Sequence, residues 1–351
     1  MTDEDAGTDA GAATTTATET FVAHRNLLFT VAYEMLGSAA DAEDVLQETW
    51  LRWSGVEHTT IRDPRAFLVR ITTRQSLTRL RTLRRRKESY VGPWLPEPLL
   101  VAPDVAEDVE LADSVSMAML LVLETLTPTE RAVFVLRDVF DLDYDEIAQA
   151  VDKTPPAVRQ IAHRARTHVA ARRPRETVSP SQTRDALAAF QQAVETGDLT
   201  RLLDMIAPDV ILLTDGGGVV RAAVEPVVGV PDVTEALARL SGALLQPTLV
   251  NGHPALIIRR DGRIDTIMAL RLDAGLITGL YAVRNPEKLS RMNHETAMGL
   301  TPGPPPGPAP HRACHRGNRR PGCGPSVRAW EQRHFRMPSR CRRRNQNRSH
   351  R

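Results

Sequence analysis

The chain lacks the features that mark secreted and membrane proteins. No cysteine precedes Cys314, so the preceding residues cannot form a disulfide framework. No apolar run approaches the roughly 20 residues that a membrane-spanning helix needs. Residues 1–19 start with acidic side chains and contain no apolar stretch, which excludes a secretory signal. These absences predict a cytoplasmic protein, and the composition of residues 1–19 predicts a disordered arm.

Charges of opposite sign are separated along the sequence, although the net charge is only +2. Residues 62–87 carry nine Arg and one Lys against one Asp, and residues 152–176 carry seven basic residues against two acidic ones. Between them, residues 99–148 carry twelve acidic residues against two Arg. This alternation is typical of a protein that contacts a polyanion at two places. The alternative is that these are ordinary solvated helix faces.

Residues 20–88, the first block, have the apolar spacing of helices. In DAEDVLQETWLRW (residues 41–53) an apolar stripe lies opposite carboxylates and an amide, because positions i, i+3 and i+4 share a face. This pattern fits an amphipathic core helix, and it also fits a helix that docks on a partner. The candidate docking residues are Asp41, Asp44, Gln47, Glu48 and Trp50.

The basic end of the first block is a second predicted helix, DPRAFLVRITTRQSLTRLRTLRRRK (residues 63–87). Asp63 is its expected N-cap, with Pro64 at the first helical position. So many guanidinium groups with so few carboxylates fit phosphate binding better than salt bridges. The candidate nucleic-acid contacts are Arg70, Arg74, Arg79, Arg84 and Arg85.

Residues 111–176, the second block, are predicted to form four helices. Thr127, Pro128 and Glu130 form a helix start with a capping box. Further on, YDEIAQAV, the turn DKT and PPAVRQIAHRARTHVAAR predict a helix–turn–helix with Thr154 as the cap of its second helix. The outward face of that helix is basic, which favours the major groove of DNA. The candidates are Thr154, Arg159, Gln160, His163 and Arg164.

Residues 89–110 connect the two blocks and contain YVGPWLPEP (residues 90–98), which we call the strap. Its three prolines exclude a helix or a central strand. Trp94 and Leu95 would be costly to leave in water. We therefore expect the strap to pack partly on the C-terminal part of the chain; the alternative is that Trp94 fills a groove on the first block.

Residues 181–289, the third block, mix helices and strands. RDALAAFQQAVETGDLTRLLDMI and PDVTEALARLSGAL predict helices, and DVILLTD and VVR predict strands around a glycine turn. Residues 253–285 predict three strands joined by hairpin turns at DG and DAG. Helices combined with an antiparallel sheet indicate an α+β cone.

Together these segments resemble the extracytoplasmic-function sigma factors of bacterial RNA polymerase. DAEDVLQETWLRW is similar to their polymerase-docking helix in region 2, the Arg-rich helix to the one that opens the −10 element, and LTPTERAVFVL with the helix–turn–helix to region 4. YVGPWLPEP, TDGGG (residues 214–218) and NPEKL (residues 285–289) resemble the sigma-J-like branch, whose fused C-terminal domain has the SnoaL/NTF2-like fold.

The resemblance implies a multidomain fold: two all-α sigma domains followed by an α+β SnoaL/NTF2-like cone. It also implies core RNA polymerase as partner of the docking residues, and the −10 and −35 promoter elements as partners of the basic helices. The third block would be regulatory and would leave room for a small-molecule ligand. Its expected contacts with the strap are Trp94, Leu95, Pro96, Asp215, Gly216, Gly217, Asn285 and Pro286.

The predicted function is therefore a sigma factor with no catalytic residue, cofactor or metal of its own. One alternative is a ligand-responsive, stand-alone DNA-binding regulator, which would not need a polymerase-docking helix. Another is a SnoaL-like enzyme tethered to DNA, for which Asp215 and His253 are the acid–base candidates. Because Asp215 precedes three glycines, a turn is the better interpretation.

Residues 290–351 carry fourteen Arg, no Lys and nine Pro, and they show no periodicity. We expect a disordered tail, and a shifted reading frame is an alternative origin for it. Its Cys and His residues do not have the spacing of a zinc site.

Overall fold

The computed structural model describes residues 5–101, 109–172, 178–240, 242–292 and 295–299. The first block is three helices: α1 (Asp5–Leu36), α2 (Ala39–Ser54) and α3 (Pro64–Glu88), with a 3-10 turn at His58–Thr60. Asp63 caps α3 as the sequence predicts, since its carboxylate accepts the Ala66 N–H at 3.0 Å. The core between these helices includes fully buried leucines, each worth about 2 kcal/mol relative to exposure.

Helix α1 begins at Asp5, within the stretch for which the composition predicts a disordered arm. Ala17 is buried, and its carbonyl accepts the indole N–H of Trp53 at 2.9 Å. A tertiary contact with α2 therefore supports a stretch that composition alone suggested would be unstructured.

The second block contains five described helices: α4 (Val109–Val115), α5 (Met117–Glu124), α6 (Pro128–Phe134), α7 (Tyr144–Val151) and α8 (Pro155–Ala170). The predicted capping box at Thr127 and Glu130 is confirmed. The prediction of four helices misses the break at Ser116, whose hydroxyl caps α5, and a π-helical turn at Val135–Val139. Helices α7 and α8 form the predicted helix–turn–helix. Thr154 stands at the N-cap position of α8 but makes no side-chain capping bond.

The third block has the predicted α+β architecture. Its helices are α9 (Pro180–Thr196), α10 (Leu199–Met205), α11 (Val230–Ala238) and α12 (Pro286–Leu289). Its strands are β2 (Ile206–Asp215), β3 (Val227–Val228), β4 (Leu244–Val250), β5 (His253–Arg260), β6 (Arg263–Asp273) and β7 (Leu276–Val283). A two-residue strand β1 (Leu100–Val101) precedes them in the connector.

The sheet order is β3-β2-β7-β6-β5-β4. The hairpins at DG and DAG are confirmed, but β2 and β7 pair in parallel, so the sheet is mixed and not wholly antiparallel. The predicted strand VVR is wrong: Val219 and Val220 donate to the Gly216 carbonyl in a turn, and the short strand comes later at β3. Strand β4 was not predicted, and its Pro247 is tolerated because β4 is the edge strand.

The two faces of the sheet are buried by different parts of the chain. On β6, Met268 and Leu272 point to the helices of the third block, where they join the apolar cluster around Phe190. Their neighbours Ile267 and Ala269 point to the opposite face, in the alternation expected of a strand. That opposite cluster also contains Leu95 of the strap and Met117 of α5. The third block is thus packed against the strap and the second block.

The first ten residues of the predicted disordered tail contain ordered structure. Strand β8 (Glu295–Thr296) pairs in parallel with β1, Met298 is buried in the helical core, and the Gly299 N–H donates to the Thr30 hydroxyl at 3.0 Å. The folded chain therefore continues past the predicted boundary at residue 289, because apolar side chains there have a core to enter. Residues 300–351, with the tail's cysteines, lie outside the described residues.

Candidate polymerase and promoter interfaces and the interdomain strap

The predicted docking face of α2 is only partly open to solvent. Asp44, Gln47 and Glu48 are exposed, whereas Trp50 is half-buried and meets Phe21 edge-on at 5.2 Å. Asp41 is buried. The exposed part of this face is therefore acidic, with an aromatic side chain at its edge.

Arg79, a predicted DNA contact, is instead paired with two of the predicted docking residues. Its Nε donates to Asp41 Oδ1 at 2.6 Å, and Nη2 donates to Asp44 Oδ2 at 2.8 Å. Burial opposes its charge, but the hydrogen bond and the charge of Asp41 prevail and raise the pKa of Arg79. These side chains tie α3 to α2, so Asp41 and Arg79 are occupied within the first block.

The basic side of α3 is divided between open and covered residues. Arg84 and Arg85 are exposed. Arg70 Nη1 donates to the Gln149 side-chain oxygen at 3.3 Å, and Arg74 Nη2 donates to the Gln149 backbone carbonyl at 2.8 Å. Gln149 belongs to α7, so the helix–turn–helix of the second block sits on part of the predicted −10 face of the first. We call this contact the closed arrangement.

The outward face of α8, by contrast, is open. Arg159, Gln160, His163 and Arg164 are all exposed, while Val158 on the other side is buried. The guanidinium of Arg159 lies 5.6 Å from the ring centroid of Tyr144. The structure thus leaves the predicted −35 residues accessible and partly covers the predicted −10 residues.

Asp215 is the centre of the contact between the strap and the third block. It is fully buried at the end of β2. Its Oδ1 accepts the Tyr90 hydroxyl at 2.5 Å, and its Oδ2 accepts the Leu95 N–H at 2.9 Å and Lys288 Nζ at 2.6 Å. Lys288 Nζ also donates to the Leu95 carbonyl at 2.6 Å. Burial lowers the pKa of Lys288 to about 8, opposed by the charge of Asp215.

The glycines of TDGGG and the Asn of NPEKL complete this contact. Asn285 Nδ2 donates to the Tyr90 hydroxyl at 2.9 Å, and the Asn285 N–H donates to the Asp215 carbonyl at 2.8 Å. Gly217 has φ +65°, and a Cβ there would lie 2.4 Å from Asn285 Nδ2. A Cβ at Gly216 would lie 2.4 Å from a backbone oxygen. Both positions therefore require glycine.

Trp94, Leu95 and Pro96 occupy different environments. Leu95 and Pro96 are buried, and Leu95 enters the cluster on the outer face of the sheet. Trp94 is half-buried and lies between blocks: Lys288 Nζ is 3.5 Å and Lys87 Nζ is 5.0 Å from its ring centroid. Both sequence interpretations of Trp94 thus describe part of its surroundings. Pro286 is exposed at the first position of α12.

Sequence reasoning missed Glu97, the one acidic residue of the strap. Its Oε2 accepts the N–H groups of Ala39 at 2.8 Å and Ala40 at 3.3 Å, so it caps the docking helix α2. Its own backbone N–H donates to the Gly37 carbonyl, and its carbonyl accepts the Tyr33 hydroxyl. Burial raises the pKa of the Glu97 carboxyl. The strap is thereby attached to the first block as well as to the third.

Asn251, between β4 and β5, was also missed. Its Nδ2 donates to the Tyr33 hydroxyl and to the Val115 carbonyl, both at 2.8 Å, and its Oδ1 accepts the Leu99 N–H at 2.8 Å. One side chain therefore joins the first block, the second block and the connector. The signal in the sequence was the pair Asn-Gly, which indicates a turn with positive φ but not its contacts.

The acid–base candidates of the enzyme alternative do not meet. Asp215 is engaged by the strap, and His253 Nε2 lies 3.1 Å from the Ala112 carbonyl on α4. The apolar cluster between the sheet and the helices of the third block contains neither residue.

Comparisons with known proteins agree with this architecture. Residues 20–86 match the family model for Sigma-70 region 2, and residues 116–169 match the model for Sigma-70 region 4. The chain is 34% identical over 288 residues to ECF RNA polymerase sigma factor SigJ of Mycobacterium tuberculosis, covering 77% of this chain and 92% of SigJ. It is 33% identical over 284 residues to probable ECF RNA polymerase sigma factor SigI of the same species, covering 79% of this chain and 96% of SigI.

The crystal structure of SigJ superposes with a TM-score of 0.64 at 32% identity, covering 77% of this chain and 97% of SigJ. Two Sigma-70 domains in this order define a bacterial transcription initiation factor. The chain belongs to the extracytoplasmic-function RNA polymerase sigma factors, in the SigJ-like branch with a fused C-terminal α+β domain. It therefore acts with core RNA polymerase on promoter DNA, which favours the sigma prediction over the stand-alone regulator. Among the described helices, none has the length and apolar character to cross a membrane.

Proposed function

We propose that the third block regulates this sigma factor by holding it in the closed arrangement. The observation that carries the proposal is the buried pair between Asp215 and Lys288, which grips the strap backbone at Leu95. The strap also caps α2 through Glu97, so the strap connects the Asp215–Lys288 pair with the helix expected to dock on the polymerase. A signal that weakened the grip would release the strap and uncover the basic residues of α3.

In this proposal each group of residues contacts a different partner. Asp44, Gln47, Glu48 and Trp50 meet core polymerase, and Asp41 with Arg79 supports the geometry of that helix. Arg70, Arg74, Arg84 and Arg85 contact the −10 region, mainly through phosphates. The outward face of α8 reads the −35 element, with Thr154 at its start. Gly216, Gly217 and Asn285 shape the surface on which the strap lies.

The protein catalyses no reaction of its own in this proposal and works in the cytoplasm. What supports the absence of catalysis is the use of Asp215 as an acceptor for the strap and the separation of His253 from it. The third block then acts by contact, and any small molecule that controls it would do so by changing those contacts.

The test is binding of core RNA polymerase to the full chain and to its Asp215→Asn variant. Removing one charge from a buried pair is destabilising by about 3–5 kcal/mol, and the part of that loss carried by the bonds of Asp215 to Tyr90 and Leu95 falls on the closed arrangement. We expect the variant to bind core polymerase roughly tenfold more tightly or better. Asp265→Asn is the matched control, because Asp265 pairs with Arg284 in the same domain. Equal binding by folded wild type and Asp215→Asn would contradict regulation by the third block.

A further inference from the structure

We infer that release of the third block and separation of the first two blocks are a single coupled step, and that Trp94 is the residue that couples them. This inference rests on the proposed function and concerns how the regulation reaches the promoter-binding residues. Two clusters of contacts and one aromatic ring shared between them connect the three blocks.

The first cluster joins the first block to the second. Lys87, in the last turn of α3, pairs with Glu124 Oε2 at the end of α5. Arg131 Nη1 pairs with Glu124 Oε1 at 2.6 Å, and Arg131 Nε donates to the Glu34 carbonyl of α1 at 2.8 Å. Burial opposes the charge of Glu124, but Arg131 and Lys87 hold the pKa of this carboxyl at about 2. The cluster thus keeps a partly buried carboxylate charged between two blocks.

The second cluster joins the third block to the strap, through Lys288, Asp215 and the Leu95 backbone. Lys288 is 7% exposed and Asp215 is fully buried. Lys87 therefore has its carboxylate partner in the second block, whereas the carboxylate partner of Lys288 lies within the third block itself.

The third feature is that the two ammonium groups share one aromatic ring. Lys288 Nζ lies 3.5 Å and Lys87 Nζ 5.0 Å from the centroid of Trp94. A cation attracted to an indole is stabilised most strongly when both are removed from water. Two like charges at one ring repel each other, and the charge of Lys87 contributes to lowering the pKa of Lys288, after burial. The arrangement is favourable only while the indole and both carboxylates are in place.

Loss of either cluster therefore weakens the other. When the third block leaves, the Trp94 ring loses Lys288 and becomes more exposed to water, which weakens its attraction for Lys87. The strap is bonded beside the same cluster: a Cβ at Gly37, whose carbonyl accepts the Glu97 N–H, would lie 3.1 Å from Glu124 Oε1. Separation of the two blocks would then remove Gln149 from Arg70 and Arg74.

The experiment measures two distances in the full chain by single-molecule energy transfer. Cys314, Cys323 and Cys341 are first replaced by serine, and dyes are attached through cysteines at exposed positions. The pair Thr82 and Lys153 reports separation of the first two blocks, and the pair Thr82 and Arg263 reports release of the third block. Asp215→Asn perturbs the third block, and Glu124→Gln perturbs the junction of the first two.

We expect each of these variants to increase the open fraction at both dye pairs by a similar factor, at least threefold. In the Trp94→Leu background, Asp215→Asn should change only the Thr82–Arg263 distance. Asp265→Asn should change neither distance. If Asp215→Asn alters only its own dye pair while Trp94 is present, the coupling does not exist. Where Asp215→Asn fails to fold, Lys288→Arg provides a milder change of the same pair.

Polymerase binding, measured on the same variants, separates this inference from the proposed function. Tighter binding by Asp215→Asn with uncoupled distances would leave regulation standing and overturn only the coupling through Trp94. Unchanged binding with coupled distances would overturn the regulatory role.

Discussion

At the scale of single residues, the most unusual group outside the strap is Glu34. It is fully buried in α1, its Oε1 accepts the Ser114 hydroxyl at 2.8 Å, and Arg131 is its nearby positive charge. Burial outweighs both of these contacts and raises the pKa of the Glu34 carboxyl to about 8. At neutral pH the folded protein therefore keeps a proton that the unfolded chain has released.

This proton gives a prediction about pH. Because the pKa is raised in the folded state, Glu34 favours folding below the ordinary carboxyl pKa, and that contribution is lost as pH rises toward 8. We expect the free energy of unfolding to fall by on the order of 3 kcal/mol between pH 5 and pH 8 on this account. Urea unfolding of wild type and Glu34→Gln checks it, since the neutral amide should flatten the slope.

The control for this prediction is Glu43→Gln, which removes a carboxylate that is paired with Arg25 near the surface. Its pH slope should match that of wild type. An unchanged slope in Glu34→Gln would show that Glu34 is ionised in the folded protein at neutral pH.

At the scale of elements, the strap supplies a capping carboxylate for α2, although it lies some 40 residues further along the chain. Glu97 accepts two N–H groups of the first turn of α2, which have no partner within the helix. A negative charge at a helix N-terminus is favourable as well. The strap therefore stabilises the start of the helix that carries the predicted docking residues.

Replacing Glu97 by alanine should release that first turn. The loss of a capping side chain costs about 1 kcal/mol, which corresponds to roughly fivefold faster amide exchange at Ala39 and Ala40. Hydrogen-exchange mass spectrometry of the full chain measures it, with Glu57→Ala as a control at a surface site beyond the other end of α2. Unchanged exchange at the start of α2 would mean that the cap contributes nothing there.

The elements differ in how far the sequence predicts them, for physical reasons. Local signals suffice where the stabilising groups are near in sequence, as in the capping box of Thr127 and Glu130 or the cap at Asp63. Local signals fail where contacts with other parts of the fold determine the conformation. Val219 and Val220 lie in a turn and not in the predicted strand, and β2 pairs in parallel with β7. The strap's packing on the third block was expected, from its exposed apolar side chains and from family resemblance. Lys288 was not singled out, because its bond to Leu95 spans 193 residues.

At the scale of the whole molecule, the two predicted DNA-binding faces, on α3 and on α8, are not equally accessible in the closed arrangement. The outward face of α8 is open, while Arg70 and Arg74 are bonded to α7 through Gln149. A sigma factor in this state would offer its predicted −35 residues before its predicted −10 residues. The Lys87–Glu124 ion pair, the strap and Asn251 each connect different blocks, so opening is expected to be a property of the full chain.

The contact at Gln149 can be changed in both directions, which gives the last prediction. Glutamate at this position would pair with Arg70 and Arg74, whereas arginine would repel them. Because the contact is exposed, each change is worth at most about 1 kcal/mol, or about a threefold to fivefold change in the open fraction. We expect Gln149→Glu to lower the open fraction reported by dyes at Thr82 and Lys153, and Gln149→Arg to raise it. Damage to α7 would shift the open fraction of both variants in the same direction. Responses of opposite sign would therefore show that the contact of residue 149 with Arg70 and Arg74 is electrostatic. Responses of the same sign would refute this.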